Sequence, residues 1–291
     1  MIITNKYNLP QSLVRAVTWQ PDEPDYDYRV SELVNSPRIV QLRRRHDAEI
    51  TVDVSDMLYI LDGLSIHYIL EKGAGKNELA EERLIVKIGN IKIKGQPDLL
   101  RDEESLSLEG YELIDYKRTS VWSYVFHKNG RPEWQAAQNV YRFLLADYGF
   151  DIRKLSVCCL FRDWVKSRRF EADYPDIPAK MIELPIWENP KDYILDRLAV
   201  HEQAKFCTDD KLPLCSKEER WERPTKYALM KQGRKSAVKL WEDKHFAAAA
   251  QLARGDDYYI EIRTGQSVRC AEYCQVKPWC DFGKQITNGG K

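Results

Sequence analysis

Two short runs carry the chemistry this chain is equipped for: Gln96-Pro97-Asp98 and, seventeen residues on, Asp115-Tyr116-Lys117. Carboxylates are hard oxygen ligands, and two of them can hold a divalent cation. A cation held that way activates a water and stabilises the charge that builds up when a phosphodiester is attacked. A nearby lysine can orient the water or neutralise the same charge. Successive side chains of a strand point to opposite faces, so Asp115 and Lys117 share one face of the stretch Tyr111-Glu112-Leu113-Ile114-Asp115-Tyr116-Lys117. Taken singly, Asp98 reads equally well as a turn acid, and Asp115 with Lys117 as a surface ion pair. Leu113 and Ile114 argue against the surface reading, because they mark a buried strand. A Gly-x-Pro-Asp turn followed by such a strand is far rarer than an isolated Asp-x-Lys.

The elements needed to position these residues are readable around them. Ser55-Asp56 looks like the N-cap of a helix running to about Glu71, with Leu58, Leu61, Ile66 and Ile69 at roughly helical spacing. Strands are expected at 84–88, 91–95 and 111–116, and Pro132 opens a helix to about Asp147 with Trp134, Tyr141, Leu144 and Leu145 on its apolar side. The continuous apolar run 155–161 fits a buried strand, and 191–206 another helix. This order predicts an α/β fold, a mixed central sheet flanked by helices. Residues 1–28, with Pro21 and Pro24, read as an irregular arm. Residues 29–206 form the core, its first part (29–45) helical but interrupted at Ser36-Pro37. Residues 207–291 make a helical, cysteine-containing C-terminal extension, with a long helix over 225–253 and a strand over 258–263.

The 291 residues suffice for one large core with an appended subdomain. The 45 basic and 45 acidic side chains cancel, which does not exclude nucleic acid, because clustering matters more than the sum. No run of eighteen apolar residues is present, so no membrane-spanning helix is expected. Residues 1–10 lack the apolar centre of a signal peptide, so the expected compartment is the cytoplasm, or the host cytoplasm if the chain is phage-encoded. Seven cysteines there would stay reduced or bind metal.

Gly95-Gln96-Pro97-Asp98 followed by Asp115-Tyr116-Lys117-Arg118-Thr119-Ser120 resembles the PD-(D/E)xK nuclease superfamily. The nearer likeness is to its RecB-like exonuclease branch, which includes phage-encoded members and CRISPR-associated nucleases. The resemblance covers about residues 29–165 and extends to the C-terminus through the cysteines. It implies a restriction-endonuclease-like core in which Asp98 and Asp115 bind Mg2+ or Mn2+ and Lys117 supports the attacking water. That branch also places a metal-binding histidine on a helix before the first strand, a position matched by His67 in Gly63-Leu64-Ser65-Ile66-His67. An imidazole ligand would favour Mn2+ without excluding Mg2+. A family acid before the first strand falls on Glu81, or else Glu82. The branch further carries a glutamine followed four residues later by a tyrosine that meets DNA. Here Ala137 occupies the glutamine position before Tyr141, so Gln138 or Gln135 would substitute, and Arg118 extends the same DNA-binding set. Trp134 reads as helix-packing core.

Cys270-x3-Cys274-x5-Cys280 closes the chain, and close spacing of this kind suggests metal ligation before disulfides. Three thiolates need a fourth ligand. RecB-like nucleases with an iron–sulfur cluster hold [4Fe–4S] through one upstream cysteine and three near the C-terminus. The upstream Cys-Pro element corresponds here to Ser36-Pro37, so Cys215 is the replacement and Cys207 the second choice. A cluster would act as a staple, not a redox catalyst. Structural Zn2+ on four thiolates is the alternative. Cys158 and Cys159 read as core thiols.

The partner implied is DNA, with free ends, single-stranded or duplex. Basic stretches at 38–45, at 226–244 and at Lys166, Arg168 and Arg169 could track a backbone, and Trp122, Tyr124 and Phe126 could stack on bases. The leading expectation is a metal-dependent DNA exonuclease of recombination, repair or phage DNA processing. A nuclease trimming DNA for CRISPR adaptation, a restriction-type endonuclease and a non-catalytic DNA-binding subunit of the same fold are the alternatives.

Overall fold

The computed structural model describes residues 1–19, 25–102 and 110–288; Pro21 and Pro24 lie outside the described residues. The chain is mixed α/β and divides into two compact units. The larger comprises residues 1–35 and 47–205, the smaller 36–46 and 206–291. Residues 36–46 leave the larger unit and return to it, a feature that a linear division of the chain lacks.

In the larger unit a five-stranded sheet has the order Ala179–Leu184, Ile152–Phe161, Tyr111–Thr119, Leu99–Asp102, Glu78–Ala80. The pairing of Tyr111–Thr119 with Ile152–Phe161 is parallel and the others are antiparallel, so the sheet is mixed. The parallel pair needs a crossover, supplied by the helices Val121–Phe126 and Pro132–Ala146. Leu113, Val140, Leu144, Leu155 and Val157 are fully buried in one core cluster. Glu112, inside this same strand, is buried too, and is matched by Arg101, by Lys154 at 3.2 Å and by the Ser156 hydroxyl. A second, three-stranded sheet joins Tyr28–Arg29, Ile91–Gly95 and Leu84–Ile88. Its hairpin closes through Gly89-Asn90, where Gly89 takes φ +60°, a conformation that costs a residue without a Cβ little.

Three expectations about elements need correction. The segment 1–28 is not wholly irregular: it contains the strand Ile2–Thr4, paired with Thr51–Asp53, and the helix Gln11–Thr18. The helix that carries His67, Leu58–Gly73, is preceded by a single 3-10 turn whose cap is Asp53, not Ser55, with the Asp53 carboxylate accepting from the Ser55 N–H at 3.1 Å. None of that helix's residues is buried, and Ile69 is 65% exposed, so its apolar spacing does not mark a core stripe.

The third correction concerns 225–253, which is not one long helix. Lys226–Lys231 and Lys239–Trp241 are antiparallel strands, joined with Tyr258–Arg263 in a three-stranded sheet, and only Lys244–Leu252 is helical. Gly233, at φ +76°, turns the hairpin, and Asp243 caps the helix by accepting the His245 N–H at 2.6 Å. The extension is thus sheet plus helix, not a helical appendage. No helix among the described residues is long and apolar enough to cross a membrane.

Candidate active site

Strand register brings the two acids together. Leu99 pairs with Ile114, so Asp98, one residue before Leu99, lies across from Asp115, one residue after Ile114. The Tyr116 N–H donates to Asp98 Oδ2 at 2.7 Å. Lys117 Nζ lies 2.7 Å from Asp115 Oδ1 and 2.6 Å from Oδ2, confirming that the i, i+2 pair shares a face. Oδ2 nevertheless completes no well-aligned hydrogen bond, which leaves a buried carboxylate oxygen with an unused lone pair.

His67 and Glu81 complete the group. His67 Nδ1 lies 2.9 Å from Glu81 Oε1 and 3.6 Å from Asp98 Oδ1. One ligand atom each from His67, Glu81 and Asp98 lies within 4.8 Å of the others, a spacing one cation can bridge. Glu81 reaches this position at the end of the strand Glu78–Ala80 by adopting φ +55°, a left-handed conformation that a side chain rarely takes. Its own N–H is held by the Asp98 carbonyl at 3.1 Å. Backbone strain of this kind gathers at functional sites, where the surroundings over-determine it. Gln96 Nε2 donates to Glu81 Oε2 at 2.9 Å and fixes the carboxylate that His67 contacts. Along the sequence Gln96 is only part of a turn, and its orienting role comes from the fold that brings Glu81 to it.

Asp98, only 11% exposed, holds its proton up to about pH 7: burial disfavours the carboxylate and the neighbouring Asp115 adds repulsion, against partial relief from Lys117 and His67. His67 is pushed up from its ordinary value by the hydrogen bond to Glu81, against its own burial. Burial would push Lys117 down, yet Asp115 and Asp98 outweigh it and the ammonium stays charged. Asp98 and the His67 imidazole thus crowd together while holding protons that a bound cation would displace. The donor set of hard oxygens and one imidazole fits Mg2+ or Mn2+. Asp115, expected as a primary ligand, lies beside the three-residue group and is occupied by Lys117, while Glu81 is inside it.

Of the three residues expected to meet DNA, Gln138 is buried, and Tyr141 and Arg118 are partly exposed and make contacts within the chain. Gln138 is 1% exposed, its side chain directed at the Ser156 carbonyl at 3.5 Å, so it lies under the sheet and not at a surface. Tyr141 is half-buried against Gly95, where an added Cβ would come within 3.1 Å of its ring, and a hydrogen bond from the Gln96 backbone ties it to the turn that carries Asp98. Burial, followed by the nearby Asp115 and Asp98, drives its phenol well above the ordinary value. Tyr141 therefore braces the turn. Arg118 Nε contacts both oxygens of Asp62, at 3.2 and 3.1 Å, linking the strand to the helix that carries His67.

In the smaller unit Cys215, Cys270, Cys274 and Cys280 line one pocket together with Arg38, Arg220 and Arg269; Cys207 is not among its lining residues. Cys270 sits in a π-helical turn, Arg269–Tyr273. Arg38 is buried, donating to the Leu212 carbonyl, to the Pro213 carbonyl at 3.2 Å and to Cys280 Sγ at 3.6 Å. Burial and then the neighbouring thiols push Cys270 up to about 11. Burial also raises Cys215, and a hydrogen bond with the Ser36 hydroxyl partly offsets it. Ser36, standing where the resemblance expects a cysteine, thus lies against the cysteine proposed to replace it. Cys159 is buried and Cys158 half-buried in the strand Ile152–Phe161.

No family model matches the chain, and no curated protein matches it. Among solved structures it is similar to an archaeal protein described as "Crystal structure of SSO0001", at 17% identity, over 68% of this chain and 85% of that chain, with a TM-score of 0.43.

Proposed function

We propose that the protein is a divalent-metal-dependent DNA exonuclease with a restriction-endonuclease-like core, of the RecB-like branch of the PD-(D/E)xK superfamily. One observation carries this reading: His67, Glu81 and Asp98, from a helix, a strained strand end and a turn, converge within 4.8 Å, beside the Asp115–Lys117 pair. His67, Glu81 and Asp98 would hold Mg2+ or Mn2+, with Asp115 available once Lys117 turns to substrate. The cation would supply charge neutralisation and a water acidic enough to attack at neutral pH. Lys117 stays an ammonium in this environment, so its part is to neutralise charge on the phosphate, not to take a proton. Gln96 and the Tyr116 N–H keep the carboxylates of Glu81 and Asp98 in place.

The same reading assigns a structural [4Fe–4S] cluster to Cys215, Cys270, Cys274 and Cys280, with three arginines to balance its thiolates. Structural Zn2+ on the same four thiolates is the alternative. About four irons per chain are expected by elemental analysis.

The test is end-labelled and circular DNA, single- and double-stranded, incubated with Mg2+ or Mn2+. Wild type should shorten linear DNA from its ends, and Asp115→Ala should be slower by at least about 10^3-fold. Equal inertness of the two proteins rejects catalysis, and cleavage of circles makes the enzyme an endonuclease.

A further inference from the structure

The strand that carries Asp115 and Lys117 ends at Thr119, and the helix Val121–Phe126 follows at once, its first turn capped by the Ser120 side chain. Val121 and Ser123 are buried, and Tyr124 packs against Phe161 at 5.4 Å. These residues anchor the helix to the core. Trp122 and Phe126, one turn apart, are not used for that purpose. They are 46% and 73% exposed, and their rings stack on each other at 5.8 Å and 27°. Arg168, paired with Glu171 at 2.9 and 2.7 Å and also over Tyr174, lies over the Trp122 ring at 5.6 Å, and two residues on Phe170 is 84% exposed with Arg169 over its ring at 4.6 Å. Lys166 is also exposed. The result is a surface of unburied aromatic faces interleaved with cations, in the same unit as the acid site.

We infer that Trp122 and Phe126, with Arg168 alongside, form a stacking platform for the unpaired bases of a DNA strand whose phosphate lies at Lys117. The inference rests on the nuclease reading for that last clause, and on exposure and charge for the rest. Bases present a π face whatever their identity, and aromatic rings flanked by cations take them with little regard to sequence, while the cations meet the phosphates. The reach is right. Trp122 is five residues beyond Lys117, so their Cα atoms are at most about 17 Å apart. At about 3.4 Å per stacked nucleotide that separation spans no more than roughly five nucleotides. A duplex hides its base faces in its own stack, so the platform selects unpaired strands and frayed ends.

Fluorescence anisotropy without added divalent cation tests this on the full chain, using a labelled oligothymidylate and a blunt duplex of the same length. Trp122→Ala with Phe126→Ala should weaken single-strand binding by about tenfold or more and leave the duplex within about twofold. Trp122→Tyr with Phe126→Tyr should restore most of the single-strand affinity, which a merely unfolded variant cannot do. Unchanged single-strand binding in the alanine variant overturns the inference. Equal losses on both DNAs also overturn it, since they indicate general charge attraction. A change of oligomeric state by light scattering, with DNA binding intact, makes the patch a protein–protein surface instead. A wild type that binds single strands but cleaves nothing removes the nuclease reading and leaves the platform standing.

Discussion

The molecule gathers side chains of metal-ligating type twice, by opposite means. In the larger unit His67, Glu81 and Asp98 are hard or borderline ligands, drawn from three elements, partly open to solvent and held by hydrogen bonds from Gln96 and Tyr116. In the smaller unit four cysteines converge, three of them within eleven residues of sequence, among arginines and apolar side chains. The first arrangement crowds acids that repel each other. The second collects thiols, and burial pushes Cys215, Cys270 and Cys274 up, a state that a protein interior tolerates. Open ligand spheres suit catalysis and closed thiolate spheres suit structure. The contrast predicts that one site governs rate and the other governs folding.

Exchanging damage between the sites is the strongest way to break that comparison. Cys270→Ser should lose the bound iron and lower the melting temperature by about 10 °C or more, because binding energy at a structural site is folding energy. His67→Ala should leave melting within a few degrees and remove the metal-stimulated activity. A Cys270→Ser protein that melts like wild type would put both sites in one class.

Proton linkage sharpens the same contrast. Asp98 and His67 both bind protons more tightly than usual, and a cation must displace them. Mn2+ affinity, measured by calorimetry, should therefore be high above about pH 7 and fall by roughly tenfold or more per unit below it. Without metal, the raised Asp98 pKa has the reverse consequence for stability. A carboxyl whose folded pKa exceeds its unfolded one stabilises at low pH, and that contribution is lost as pH rises through about 7. Asp98→Asn should then gain nothing near pH 4 and on the order of 2 kcal/mol at pH 8, in denaturant titrations of the metal-free protein. A gain that does not depend on pH would mean that Asp98 is not strained by its charge.

The sequence shows the parts that depend on local periodicity. Alternation is enough to put Asp115 beside Lys117, and the apolar runs 84–88 and 91–95 are enough to mark two strands. Glu81 is less legible, because its place depends on a left-handed backbone held by a partner seventeen residues away. Gln138 illustrates the opposite error. Counting along a helix fixes its distance from Tyr141 but not which face the sheet covers, and the sheet covers Gln138. The stretch 225–253 is expected as one helix, whereas pairing with Tyr258–Arg263 makes a strand of Lys226–Lys231, which in turn pairs with Lys239–Trp241. The departure of 36–46 from the larger unit is a tertiary fact with no local signal beyond Ser36-Pro37.

The smallest effect separates structural from DNA-contacting charge around the Asp115–Lys117 pair. Arg118 follows Lys117 directly, and its guanidinium is engaged by Asp62 on the helix that bears His67. Both partners are partly exposed, so Arg118→Ala should cost no more than about 1 kcal/mol of stability. A phosphate contact would show differently. Its loss would weaken DNA binding across all sequences and reduce the slope of log affinity against log salt by about 1. With the guanidinium already committed, affinity should change by less than about twofold and the slope should hold. Asp62→Ala provides the reciprocal arm: by releasing Arg118 it should raise the salt slope if the freed side chain turns to DNA, and leave it unchanged if Arg118 only braces the helix.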